Sequence, residues 1–154
     1  MKPLHLKIIL TIVVLLLGYL IIDVVFDRNL IHEAGEIELI IVDEHQEIVY
    51  HNILPYEKDQ TFFDLLNQKF TLTCANRFYN PDSTCSYEFN IMGQSNYVIL
   101  GIKSDTFEIM TDWSKTFIKI EVYDGEKFIP ATQGFNHLDI SNFEKIRLII
   151  DAPR

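Results

Sequence analysis

Basic side chains are scarce in this sequence, with 13 Lys and Arg against 22 Asp and Glu for a net charge of −9. No stripe of Lys or Arg is present to follow a phosphate backbone, which removes nucleic acid as a partner. Cysteine is scarcer still. Cys74 and Cys85 stand alone, with ten residues between them, so they neither supply four zinc ligands nor form the Cys-x-x-Cys of a redox pair. There is no Gly-x-Ser-x-Gly elbow, no Gly-rich phosphate loop and no internal repeat. With no reactive constellation in view, the chain reads as a binding or structural protein and not as an enzyme.

Charge is also missing from the opening stretch "MKPLHLKIILTIVVLLLGYLIIDVVFDRN", uncharged from Ile8 to Ile22 and apolar to Phe26 except for Asp23. As a helix, residues 8–26 span roughly 28 Å, the thickness of a bilayer's hydrocarbon. Lys2 and Lys7 precede the run and acids follow it, which places the N-terminus in the cytoplasm and the rest outside. A cleaved signal peptide would have a shorter apolar core and a small-x-small site, and a core helix of a soluble protein would carry regular polar positions. The expectation is a signal anchor over 1–28, a linker over 29–36 and one extracytoplasmic domain over 37–154, at the cell membrane in a single pass. Beyond Arg28 the chain has 10 basic and 20 acidic residues, a surface suited to water away from anionic lipid heads.

Within the domain, residues 37–53 alternate as a hairpin around a polar turn at 43–46, and Pro55 marks the end of the sheet pattern. The period changes at "TFFDLLNQKF", where Phe62, Phe63, Leu66 and Phe70 share one side of a helix. Thr61 and Asp64 have the capping-box spacing that opens it. "YVILGIK" (97–103) reads as a central strand. Residues 116–128 read as a second hairpin with a type I′ turn at Asp124-Gly125, and 145–151 as the closing strand. One short phenylalanine-striped helix on one face of a mostly antiparallel or mixed sheet is the α+β element order of a β-grasp. A β-sandwich is the rival.

The segments "TFFDLL", "YVILGIKSDTFEIMTDWSKTFIKIEVYDGEKFI" and "TQGFNHLDI", with the apolar strand that follows, resemble the transcobalamin C-terminal-like domain of bacterial surface proteins, a β-grasp relative. The matching positions are 61–66, Trp113, Asp124-Gly125 and Gly134, and the resemblance covers roughly residues 37–151. It departs from the family in having Asp-Gly for Asn-Gly at the turn, and in lacking an acidic-glycine turn before the last strand. The resemblance implies an extracellular module and, as one candidate ligand, a cobalamin-like cofactor. It carries over no corrinoid-contacting residue.

Outside the cell, the natural state of Cys74 and Cys85 is a disulfide, and Asn80-Pro81-Asp82 between them is a turn that lets their ends meet. Two separate buried thiols are the alternative. Trp113, in polar surroundings before a strand, and Phe135, between Gly134 and Asn136, are the candidate ligand-binding residues, each also readable as a core cap. Phe78 and Tyr79 read either as partner contacts or as cover for their own loop. His45 and His51 with Asp43, and His137 with Asp139, are better read as ordinary turn and strand residues than as metal ligands. Asp105, Glu108 and Asp112 read as solvated acids. The expected function is a membrane-anchored module for a small ligand or a protein partner, held to the membrane through residues 8–26. The rivals are a structural subunit of a membrane complex and an extracytoplasmic hydrolase.

Overall fold

A computed structural model of the chain describes residues 34–91 and 93–151. The anchor expected over residues 8–26 lies outside these, and so does most of the linker. Among the described residues no helix is long and apolar enough to cross a membrane.

The chain opens with β1 (Gly35–Val42) and β2 (Ile48–Tyr56), followed by α1 (Phe62–Lys69). β3 (Thr71–Ala75), β4 (Pro81–Asp82), β5 (Phe89–Ile91), β6 (Gln94–Asn96), β7 (Ile99–Lys103) and β8 (Glu108–Met110) come next. β9 (Phe117–Tyr123), β10 (Phe128–Pro130), a 3-10 turn at Ile140–Asn142 and β11 (Lys145–Asp151) complete it. They form a five-stranded sheet in the order β10-β9-β11-β1-β2, a four-stranded sheet β4-β3-β7-β8 and a ribbon β5-β6. β11 runs parallel to β1 and antiparallel to β9, so the first and last strands sit side by side inside the larger sheet.

This corrects the expected fold class. The described residues are 47% strand and 9% helical, a mostly β structure and not an α+β domain of one sheet beneath a helix. The reason lies in residues 71–110, read as a cysteine segment and one central strand. β7 is central, but to a second sheet: it pairs with β3 on one side and β8 on the other. Such pairing depends on contacts far apart in sequence, which local periodicity does not report.

Two local readings also change. β2 continues through Pro55, which pairs with Glu36, because β2 is the sheet's edge and needs no donor on its outer side. The second hairpin does not make a two-residue type I′ turn. Asp124 to Lys127 form a longer loop in which Gly125 has positive φ and Asp124 does not. Asp124 Oδ1 instead accepts the backbone N–H groups of Glu126 and Lys127, both at 2.9 Å. That local bond set favours the longer loop over a two-residue turn with positive φ at both positions.

α1 forms where its period placed it. Thr61 Oγ1 accepts the N–H of Asp64 at 3.0 Å, and Asp64 returns a carboxylate oxygen to the N–H of Thr61. Phe62, Phe63, Leu65 and Leu66 are buried, and the face with Asp64, Asn67 and Gln68 is exposed. Thr61→Ala removes the cap, and a loss of about 1 kcal/mol in urea unfolding is the expected result. An unchanged midpoint would show that packing alone sets the helix start. The buried side chains of α1 join Ile37, Leu39 and Ile41 of β1, Ile99 and Ile102 of β7, and Ile146 and Leu148 of β11 in one core.

The opposite face of the larger sheet is a ladder of charges. Strand register sets Glu38 opposite Lys145 and Glu121 opposite Arg147. Glu38 bonds Lys145 Nζ at 2.8 Å and His51 Nε2 at 2.7 Å. Glu121, buried, receives Lys119 Nζ at 2.9 Å and Arg147 Nε at 2.8 Å. The Lys145 bond, then that of His51, holds the Glu38 carboxyl below the ordinary glutamate value of 4.5. For Glu121 burial pushes upward, but the Lys119 and Arg147 bonds outweigh it and the net direction is also down. Two depressed carboxyls stabilise the fold above pH 4.5, and that contribution is lost as pH falls below it. The thermal midpoint is therefore expected to drop between pH 5 and 3. Glu121→Gln should start lower at pH 7 and fall less over that interval; parallel curves would exclude Glu121 as a source.

Candidate functional site

Residues 134–137 lie across the end of α1 and are tied down at every position. The carbonyl of Phe135 accepts the N–H of Phe63 at 3.0 Å, one of the donors that a helix start leaves free. Asn136 Oδ1 accepts the N–H of Tyr97 at 3.2 Å, and His137 Nε2 lies 2.9 Å from the carbonyl of Ser95. The Phe135 ring stacks on Phe62 with centroids 5.9 Å apart, and Tyr97 stacks on Phe63 at 4.1 Å. Gly134 sits directly against the Asn96 side chain, so closely that a Cβ at Gly134 would collide with Asn96 Oδ1.

Beside this junction is a cavity of about 240 Å³. Its apolar wall is built from Val98 just before β7, Ile99 of β7, and Phe117, Ile118 and Ile120 of β9. Trp113 and Phe135, 22 positions apart in sequence, both line it. Their roles differ. Phe135 is buried and belongs to the main core, whereas Trp113 is 39% exposed and outside it.

The loop that presents Trp113 is held by one carboxylate. Asp112 Oδ1 accepts the N–H groups of Ser114, Lys115 and Thr116, and the Lys115 bond leads in drawing its pKa down. Trp113 itself has φ 61°, the left-handed region, which a bulky side chain occupies only at a cost of roughly 1–3 kcal/mol. Its ring stacks on Tyr79 at 6.0 Å, and Tyr79 stacks on Phe89 at 4.8 Å.

Tyr79 stands in the loop closed by the two cysteines. Cys74 and Cys85 are joined as a disulfide, Cα atoms 4.9 Å apart, with Cys74 fully buried in β3. Inside the ring Asn76 Oδ1 accepts the N–H groups of Phe78 and Asn80. Asp82 accepts from the backbone and hydroxyl of both Thr84 and Ser86; the Ser86 hydroxyl leads in holding its carboxyl far below the usual range. The staple and these local bonds hold the loop beside Trp113. Phe78 is 66% exposed, with the Arg77 guanidinium 4.4 Å from its ring centroid, so it does not cover its own loop.

The sequence reading missed Asn96. Only 5% exposed, it lines the cavity, and its Oδ1 has no hydrogen-bond partner among the described residues. A buried acceptor left unmet costs about 1–3 kcal/mol. The one sequence signal near it is Gly134, an isolated glycine marking close backbone approach.

Other candidates are not brought together. His51 is committed to Glu38, and His45 lies in the exposed turn whose Asp43 caps the N–H groups of His45 and Glu47. Glu108 pairs with Lys103 at 2.9 Å. Among the described residues no group of three or more His, Cys, Asp or Glu is arranged to hold a metal. A larger hollow of about 530 Å³ over Tyr50, Lys69, Phe70 and Lys103 contains none of the residues singled out as ligand-binding.

No family model, curated protein or solved structure matches the chain. The resemblance to the transcobalamin C-terminal-like domain therefore rests on the quoted motifs alone.

Proposed function

We propose that the chain is an extracytoplasmic binding module, held at the membrane through residues 8–26, whose cavity beneath Trp113 receives a small ligand. The observation that carries this reading is the strained, half-exposed Trp113 at the rim of an apolar cavity. A backbone outlier that surrounding bonds maintain points to a use for that side chain. The disulfide supports the exported location, since such bonds persist where the surroundings oxidise thiols.

Cavity size limits the ligand. Pockets that enclose drug-sized molecules run from about 300 to 1,000 Å³, and this one is about 240 Å³. A corrinoid is much larger than that, so the volume weighs against the cobalamin-like candidate. The exposed rings of Phe78 and Tyr79 favour one further reading, a protein partner contacting the same rim.

The test is an NMR screen of the full chain in lipid nanodiscs against a library of small fragments. At least one compound should shift the amides of Trp113 and Gly134 saturably. If the whole library at millimolar concentration leaves them in place, the binding reading is lost. External protease on intact cells checks the location independently: the domain should be cut, and complete protection would place it inside.

A further inference from the structure

We infer that Asn52 and Pro55 guard β2, the long outer edge of the five-stranded sheet, against antiparallel pairing with β2 of a second copy. The inference does not rest on the binding reading of the cavity.

Edge strands present unpaired backbone groups, and proteins shield them by keeping them short or by placing charges on them. At the opposite edge β10 is three residues long and ends at Pro130. β2 has neither protection. It runs for nine residues, "IVYHNILPY", without one Asp, Glu, Lys or Arg, in a chain that is 23% charged. Ile48 and Ile53 on it are 62% and 58% exposed. Glu38, opposite Ile53, is already met by Lys145 and His51, so it leaves no free charge beside the strand to repel a copy. An uncharged, partly apolar strand is complementary to itself across a two-fold axis, which names the occupant.

What β2 lacks is donors. The N–H of Glu38 bonds the carbonyl of Glu144 at 3.1 Å, on the β11 side. Glu38 and Ile53 are therefore a pair without mutual bonds, and Ile53 turns its N–H and C=O to the open edge. By the alternation of the ladder, His51 and Pro55 point the same way. Of these three outward positions, Pro55 has no N–H. The Ile53 N–H is taken by Asn52 Oδ1 at 3.0 Å. Only His51 keeps an open donor among them. An incoming strand would meet three carbonyls and find one N–H in return.

The experiment uses the full chain in detergent micelles and two readouts. The first is amide exchange of the wild-type chain by NMR. His51 should exchange fast and Ile53 more slowly, held by Asn52. Exchange at Ile53 as fast as at His51 overturns the role of Asn52, and a protected His51 amide shows an edge already paired and overturns the guard. The second is the dissociation constant from sedimentation equilibrium. Asn52→Val/Pro55→Val returns two donors to each copy and should associate at least roughly a hundredfold more tightly than wild type. Adding Ile53→Lys should restore the wild-type value, because a charge on the edge opposes pairing. Unchanged association of a double variant that keeps its circular dichroism spectrum overturns the proposal. So does tightened association that survives Ile53→Lys, since it lies on another surface. The exchange readout needs no variant, so a misfolded one leaves the proposal open to refutation.

Discussion

Phe62→Ala is expected to destabilise the folded domain by about 3–5 kcal/mol, the range for removing a buried aromatic ring from a packed core. Phe62 is the first residue of α1 and has no exposed surface. Its ring stacks parallel to Phe135, and the next residue, Phe63, donates its N–H to the Phe135 carbonyl. The substitution therefore opens a void where the helix, the 134–137 segment and the cavity meet. Against a typical domain stability of roughly 5–15 kcal/mol, the loss runs from about a fifth of the total to all of it. Urea unfolding followed by circular dichroism measures it. Phe62→Leu, which refills most of the volume, should recover at least half of the loss. A cost below 1 kcal/mol for Phe62→Ala would mean that the site collapses freely and that Phe62 does not anchor the junction.

Breaking the disulfide is expected to have an effect of similar size by a different route. In the chain-entropy model, opening a loop with a sequence separation of 11 returns about 3 kcal/mol of freedom to the unfolded chain. For a domain of this size that lowers the thermal midpoint by roughly 10–15 °C. The clean comparison is the oxidised chain against the same chain reduced, with Cys74→Ala/Cys85→Ala as the permanent form. Alanine is preferred to serine because position 74 is fully buried and a hydroxyl there would need a partner. The chain's one tryptophan supplies a second readout. Trp113 stacks on Tyr79 of the stapled loop, so reduction should shift its emission to the red below the melting range. Matching midpoints for the two redox forms would leave the staple with no stabilising role. An unmoved emission would show that the loop's own bonds from Asn76 and Asp82 hold Tyr79 without the covalent link.

Much of the local structure is written in short-range pattern. The helix start follows from Thr61 and Asp64, and its buried face from the spacing of Phe62, Phe63 and Leu66, because a 3.6-residue period leaves little choice of side. The alternation of Ile146, Leu148 and Ile150 assigns β11 its inner face for the same reason. In β9 Ile118, Ile120 and Val122 alternate toward the core, but Glu121 on the other face is buried as well. Period alone does not reveal that Lys119 and Arg147 enclose it. Within the candidate site, Trp113 and Phe135 stood out as aromatics in polar surroundings. Asn96 did not, since an asparagine before an apolar run looks like any loop residue until Gly134 is packed against it.

The sequence by itself determined the acidic, cysteine-poor character of the chain, the apolar opening stretch, the capped helix and the faces of its alternating strands. Each of these depends on composition or on neighbours within a few residues. Only the tertiary structure decided that residues 71–110 build a second sheet and that the last strand lies parallel to the first. It alone brought Trp113, Phe135 and Asn96 around one cavity. Those outcomes are contacts between distant segments, chosen by which surfaces exclude water together, and no local pattern encodes that choice.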